Sequence, residues 1–368
     1  MVKICHVSSA HPYNDIRIFK KECISLAKNN FELYYVSNNN ENKYLDGVYI
    51  VGTGYSTKSR LKRMTLGVLR VFILSLKTNA KLYHLHDPEL LLVAPLYLLL
   101  RKKVVFDAHE DLPAQIQDKY YLNKNVRKIL SKSLSVFEKI ICKMITGCIG
   151  ATPHISQKFS LINNNVENIN NFPLLGELSS NNSEYNLSNN ICFTGSISEI
   201  RGIFPLINAL EFCPGITLIL AGVISPESIL PQLQALNGWK QVRYLGLVNR
   251  TELAEIMGSC FAGIVTFLPA QNHIYAQPNK MFEYMSAGLP VVGSDFELWR
   301  RILVDNKCGL TVDPNNSKLI AEAINRLHKN FEVSKIMSKN SIAAVKEKYN
   351  WEMEEKKLIN FYNLLLSK

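Results

Sequence analysis

The sequence lacks the marks of an exported or membrane-embedded protein. Its start, MVKICHVSSAH, carries one lysine and no apolar stretch of the kind a secretory signal needs. The longest apolar run, Leu90 to Leu100, falls well short of the ~20 residues of a membrane helix. It also contains Pro95 and reads as a core helix. No C-x-x-C occurs among eight scattered cysteines, and several sit in apolar runs such as KICHV and NICFTG. That pattern argues against a disulfide framework or a cysteine metal site, and for buried reduced thiols in a cytoplasmic protein. The turn after the first apolar strand, SSAHPYNDIRIFKKE, has no G-x-G-x-x-G, which argues against a nicotinamide or flavin enzyme. No tandem repeat of short fixed period is present.

What remains is an ordinary globular composition with an uneven charge. A chain of 368 residues, 47% apolar and 20% charged, is too long for one ordinary core and suggests two domains. Residues 1–172 hold 24 Lys and Arg against 13 Asp and Glu; residues 173–368 hold 18 of each. All the excess positive charge lies in the first half, which points to an anionic partner there.

The first half alternates apolar strands with helical patterns. Strands are expected at Lys3–Ser8, Glu32–Ser37, Val48–Val51, Leu82–Leu85, Val104–Asp107 and Gly147–Ala151. Helices are expected at Ile16–Lys28, Leu61–Lys77, Glu89–Leu100 and Val126–Met144. The Asn-rich stretch Leu178–Asn190 reads as a linker. The alternation then restarts, with strands expected at Ile191–Thr194, Thr217–Ala221, Val242–Leu245, Gly263–Thr266 and Pro290–Gly293. A final helix, Trp351–Leu366, has no strand after it. The fold class is α/β, two parallel doubly wound sheets with a cleft expected at their carboxyl ends. The expected domains are residues 1–175 and 190–350.

The segment PNKMFEYMSAGLPVVGS, Pro278–Ser294, packs a turn, a helix, a helix stop and a buried strand together. Lys280 and Glu283 are one turn apart on one helix face. A cation and free N–H groups at the first helical turn suit a phosphate, and a carboxylate one turn deeper can accept two hydroxyl hydrogens. A diphosphate beside a ribose diol has that shape. Gly288 and Pro290 end the helix. In TGSISEIRG, Thr194–Gly202, small residues Gly195 and Ser196 let the backbone approach a ligand, and Arg201 can reach an anion.

Three polar loops mark the first half. FDAHED, Phe106–Asp111, follows an apolar strand and would place His109 and Glu110 at its carboxyl end. One of its acids, Asp107 or Asp111, also fits a helix cap, whereas His109 can donate a hydrogen bond to a phosphate or a sugar hydroxyl. In HLHDPELL, Asp87-Pro88 reads as an N-cap followed by an N1 proline. His84 and His86 share a strand face, but no third ligand appears at metal spacing, and their role stays open. The loop after the first strand carries His11, Asn14, Asp15 and Arg17, which suit substrate contacts equally with an Asp15-capped helix whose Arg17 is exposed.

Two helical patterns are basic and amphipathic. Arg63, Arg70 and Lys77 recur in one. In the other, Lys128, Lys132, Lys139 and Lys143 form a stripe beside Val126, Leu130, Leu134, Phe137 and Ile141. The apolar stripe reads as packed on the sheet. The basic faces suit an anionic membrane surface better than nucleic acid, because no aromatic–basic interleaving accompanies them.

These motifs together resemble the bacterial retaining glycosyltransferases of family 4, with a GT-B fold of two Rossmann-like domains facing each other across a cleft. The resemblance covers nearly the whole chain. Its most specific parts are PNKMFEYMSAGLPVVGS, TGSISEIRG and GLTVDP, with HPYNDIRIFKKE, HDPELL and FDAHED in the first half. It implies a nucleoside-diphosphate sugar (UDP or GDP) held by Gly195, Ser196, Arg201, Gln277, Asn279, Lys280 and Glu283. Glu283 would take the ribose hydroxyls, and Arg201 and Lys280 the diphosphate. His109 would contact the transferred sugar or its phosphate. The acceptor would lie on the N-terminal domain, with His11, Asp15, Arg17 and Glu110 as candidates. The final helix, 351–368, would cross back onto that domain.

The implied activity is a retaining hexosyl or related transfer that needs no metal and no cofactor. Its acceptor would be a hydroxyl of a lipid-linked glycan in O-antigen, capsule or exopolysaccharide assembly, at the inner face of the plasma membrane. Alternatives are a nucleotide-sugar 2-epimerase of similar shell and a non-catalytic anion- or membrane-binding protein. The sequence departs from the family at two positions. Tyr275 stands eight before Glu283, where a second glutamate is usual, so backbone groups of Ala276 and Gln277 are expected to substitute. Ser196 stands where arginine is frequent, leaving more of the diphosphate charge to Arg201.

Overall fold

The computed structural model describes residues 1–54, 59, 62–117, 123–178, 185 and 188–367. The chain divides into two compact units, residues 1–171 with 351–368, and residues 172–350.

The first unit is built on an eight-stranded sheet. Its strands are β1 (Val2–Val7), β2 (Phe31–Ser37), β3 (Lys43–Leu45), β4 (Val48–Gly52), β5 (Leu82–Leu85), β6 (Lys103–Ala108), β7 (Gly147–Gly150) and β8 (Val166–Asn168). They lie in the order β3-β4-β2-β1-β5-β6-β7-β8, parallel except for β3 against β4. Strands β1 and β5–β7 are apolar over most of their length and buried, as strands covered on both faces must be. The strand order reverses direction between β1 and β5, the position at which open α/β sheets leave a crevice. The edge strands β3 and β8 are three residues each, too short for a period to show, and no strand is expected there from the sequence.

The second unit holds a six-stranded, all-parallel sheet in the order β11-β10-β9-β12-β13-β14. These are β9 (Asn190–Thr194), β10 (Thr217–Ala221), β11 (Val242–Gly246), β12 (Ala262–Val265), β13 (Val291–Ser294) and β14 (Gly309–Val312). Its switch point lies between β9 and β12. The core runs from Ile191 and Phe193 through Ile264, Phe282 and Trp299 to Ile324.

Three expectations about layout need correction. The stretch read as a linker falls largely outside the described residues, and its described parts belong to the second unit: Leu178 is buried, and Tyr185 donates to the Phe261 carbonyl at 2.8 Å and packs on Phe331. The second unit begins earlier, at Phe172, whose ring packs on Phe282 and Tyr349. The apolar stripe on the helix Lys124–Met144 is packed only in its second half. Ile141 is buried, but Val126 and Leu130 are exposed, as are Ile129, Val136 and Ile140.

The last helix, Trp351–Ser367, belongs to the first unit. Trp351 Nε1 donates to Ser25 Oγ at 2.9 Å, and the Asn170 N–H donates to Glu354 Oε2 at 2.7 Å. Leu358, Phe361, Tyr362 and Leu365 are its buried stripe.

Candidate active site

In the second unit, the elements that follow β9 and β12 converge at the switch point. β9 ends in Gly195 at φ +83°, where the N–H donates to the Ala221 carbonyl at 2.8 Å. A Cβ there would meet the Lys280 side chain at 3.8 Å. The turn closes at Gly202, φ +75°, where a Cβ would stand 1.8 Å from the Thr266 carbonyl oxygen, so only glycine fits. Between them Ser196 is exposed, and the half-buried Arg201 guanidinium lies 5.3 Å from the Phe267 ring centre.

Lys280 is the second residue of the helix Asn279–Ser286. Its side chain is buried, and its Nζ has no hydrogen-bond partner among the described residues. The ammonium lies 3.8 Å above Phe193 and 5.3 Å from Phe267. Burial, and then the nearby Arg201 charge, push its pKa well below the usual lysine value. A buried ammonium facing a second cation is costly unless an anion joins it. Phe193 and Phe267 shield the Lys280 ammonium from water, while Arg201 stays half-buried.

Glu283, one turn on, takes a different partner from any the sequence suggested. Arg250 Nη1 donates to Glu283 Oε1 at 2.7 Å, and Arg250 Nε donates to Glu177 Oε1 at 3.1 Å. Arg250 opens a helix whose cap, Asn249 with Glu252, is legible as a capping box. Nothing in its spacing foretold the pairing across 33 residues. Gln277 Oε1 is buried without a hydrogen-bond partner among the described residues, while Asn279 is exposed. Ala276, one of the two backbone positions expected to stand in for a second glutamate, is engaged within the protein. Its N–H donates to the His273 carbonyl at 3.1 Å, and its carbonyl accepts from Trp299 Nε1 at 2.8 Å. Tyr275 is exposed.

In the first unit, the predicted residues separate into those in loops and those in the core. Asp15 caps the helix Ile16–Cys23, its Oδ1 accepting from the Ile18 N–H at 2.9 Å. Arg17, expected either on the surface or against an acceptor, is neither. It is 4% exposed, and its guanidinium donates to both oxygens of Asp107, at 3.0 and 2.9 Å, and to the Ile169 carbonyl at 3.0 Å. Asp107 therefore caps no helix; Asp111 does, accepting from the Ala114 N–H. Asp87 sits at an N-cap position but makes no cap bond. Its Oδ2 instead accepts from Ser8 Oγ, Ser9 N–H and Ala10 N–H at 2.7, 2.7 and 3.1 Å, and its Oδ1 lies 3.0 Å from His11 Nδ1. Glu110 is exposed and accepts from Gln115.

His109 stands at the partly exposed end of a buried polar chain. Its Nε2 is 3.1 Å from Asp107 Oδ2, and His86 Nδ1 is 3.5 Å from the same oxygen. Burial lowers the His86 pKa to about 4. The fold also supplies what the sequence lacked beside His84 and His86: His6 from β1 and Glu22 from the helix Ile16–Cys23 bring their ligand atoms within 4.8 Å of theirs. The alternation of His84 and His86 was visible, but the register that sets His6 opposite His84 was not.

Residues 177–344 match the family model described as glycosyl transferases group 1. That stretch, a little under half of the chain, is similar to the group 1 glycosyl transferases. A phosphatidyl-myo-inositol mannosyltransferase of Mycobacterium leprae is 27% identical over 192 residues, 48% of this chain and 46% of that protein. The chain spans about half the length of the curated relatives it matches. Among solved structures, sucrose-phosphate synthase from Thermosynechococcus elongatus superposes with a TM-score of 0.77 at 16% identity, covering 100% of both chains. HepE of Anabaena, solved in complex with UDP, gives 0.74 at 14% identity, covering 99% of this chain and 100% of that one. At such identities the likeness is one of fold. Two Rossmann-like parallel sheets are the GT-B fold, and the stretch similar to the group 1 family lies within the unit that holds Arg201, Lys280 and Glu283.

Proposed function

We propose that this protein is a retaining glycosyltransferase that takes a sugar from a nucleoside diphosphate held on the second unit. The observation that carries the reading is Lys280, a buried ammonium with no hydrogen-bond partner among the described residues, close enough to Arg201 to feel its charge. A diphosphate placed there would neutralise both cations and satisfy Nζ, and the same cations would stabilise the charge that grows as the sugar bond breaks. That arrangement supplies the role a catalytic divalent metal otherwise plays. Glu283, turned by Arg250, would accept the ribose hydroxyls. A neighbour of the same fold, solved in complex with UDP, supports a nucleotide as the ligand.

The acceptor reading is a lipid-linked hydroxyl. It rests on the phosphatidyl-inositol named in the mannosyltransferase relative, and on the helix Lys124–Met144. That helix exposes Ile129, Val136 and Ile140 beside Lys128, Lys132, Lys139 and Lys143, a surface suited to an anionic leaflet. No helix of the described residues is long and apolar enough to cross a membrane. On the first unit, His109 is the partly exposed group that can exchange a hydrogen bond with a sugar or phosphate.

The test is calorimetric titration of the purified protein with UDP- and GDP-sugars, with and without EDTA, followed by NMR of the product's anomeric proton. Chelator-insensitive binding that Lys280→Met abolishes, and retention of anomeric configuration, are expected. Donor binding unaffected by both Lys280→Met and Arg201→Ala would refute the site.

A further inference from the structure

We propose that His6, Glu22, His84 and His86 bind one divalent transition-metal ion of the zinc class, at a structural site inside the first unit. His6 on β1 and His84 on β5 are register partners on adjacent parallel strands. His86 follows two residues later, on the same face as His84. Glu22 reaches that face from the helix Ile16–Cys23. Each side chain offers one ligand atom, and the four lie within 4.8 Å of one another. His6 Nδ1 is 2.9 Å from His86 Nε2, and Glu22 Oε2 is 3.9 Å from each. All four residues are 0–2% exposed.

Two atoms of this set make the case. Glu22 Oε2 and His84 Nε2 are both buried, and neither has a hydrogen-bond partner among the described residues. Buried polar atoms are almost always satisfied, and two orphans in one cluster call for a missing partner. An ion among the four ligands would satisfy both.

The surroundings fit as well, because each imidazole presents its other nitrogen to an oxygen. Tyr362 Oη meets His84 Nδ1 and lies 3.2 Å from His6 Nε2, while Asp107 Oδ2 lies 3.5 Å from His86 Nδ1. Such outer partners fix the ring orientation of metal-bound histidines. Three imidazoles and one carboxylate suit zinc or a similar ion, whereas calcium and magnesium want more oxygens. Closed off from solvent, the site has no position for substrate and would tie β1, β5 and the helix Ile16–Cys23 together.

The competing arrangement is a proton on Glu22 and a metal-free hydrogen-bond network. Full-length protein stripped with a strong chelator is titrated with Co2+ and watched for visible d–d absorption. Its thermal unfolding is followed before and after Zn2+ is restored. Saturation at one equivalent, with a fall in Tm of at least about 5 °C on stripping that Zn2+ reverses, is the expected result. Glu22→Gln and His84→Asn should lose the cobalt spectrum. If both variants fail to fold, the wild-type titration alone decides. Absence of d–d bands together with a Tm indifferent to chelator and Zn2+ overturns the proposal and leaves the proton on Glu22.

Discussion

The Arg17 guanidinium grips both carboxylate oxygens of Asp107 from 90 residues away, with both side chains in the core of the first unit. Arg17 Nε also lies 3.1 Å from Glu22 Oε1. Burial would raise the Asp107 carboxyl, but Arg17 and then His109 hold it well below the usual range. Arg17→Ala leaves a buried carboxylate unpaired and should destabilise the protein by about 3–5 kcal/mol. Arg17→Lys should recover little of this, since an ammonium cannot make the fork. Urea unfolding of the first unit's signal checks both.

Arg250 and Glu283 form a half-exposed pair whose loss should leave the fold intact. Glu283→Gln keeps the shape but weakens acceptance of hydroxyl hydrogens. A charged hydrogen bond is worth about 1.5–3 kcal/mol, so donor affinity should fall about 10- to 100-fold with Tm nearly unchanged. Arg250→Ala should produce a smaller loss, because it misorients Glu283 without removing it. Titration with UDP reads both, and equal donor affinity in wild type and Glu283→Gln would show that the ribose lies elsewhere.

Lys280 links binding to pH. Its folded-state pKa is depressed by burial and by Arg201, so over the window between that value and the ordinary lysine value the unfolded chain holds a proton that the folded chain does not. Stability therefore rises with pH across that window. A bound diphosphate restores the proton, so donor binding there should take one up and weaken as pH rises. Titrations in buffers of different ionisation enthalpy count that proton. Lys280→Met should abolish both uptake and binding while raising the ligand-free Tm, by about 1–2 kcal/mol of stability, since a methionine fills the same buried space without charge.

The exposed face of the helix Lys124–Met144 should govern attachment to vesicles. Lys128→Glu with Lys132→Glu should cut binding to anionic vesicles by about 30-fold or more, at about 1 kcal/mol per lysine lost, and wild-type binding should weaken with salt. Ile129→Ser should weaken binding without changing the salt dependence. Flotation with anionic and neutral lipids separates the two contributions.

Much of the second unit was readable because its signals are local. Gly288 at φ +76° ends the helix that begins at Asn279, and Val291–Ser294 enters the sheet directly after it. Lys280 and Glu283 share a helix face by spacing alone. Arg250 was not readable, since its pairing joins elements 33 residues apart. The first unit was harder. Its charged residues read as loop chemistry, an exposed helix position or a helix cap, but Arg17 and Asp107 turn inward, and β3 and β8 are edge strands of three residues, too short to show a period.

By itself the sequence determined the periodic strands and helices, the two α/β units, the glycine turns and the cation–carboxylate face of one helix, because each depends on residues within a few positions of one another. The tertiary structure decided which polar groups are buried and with whom. Sheet register set His6 beside His84, the fold carried Tyr362 across 278 residues to the same histidine, and packing left Lys280 Nζ and Glu22 Oε2 without hydrogen-bond partners among the described residues. Those outcomes depend on which distant segments exclude water together, and no local pattern encodes that.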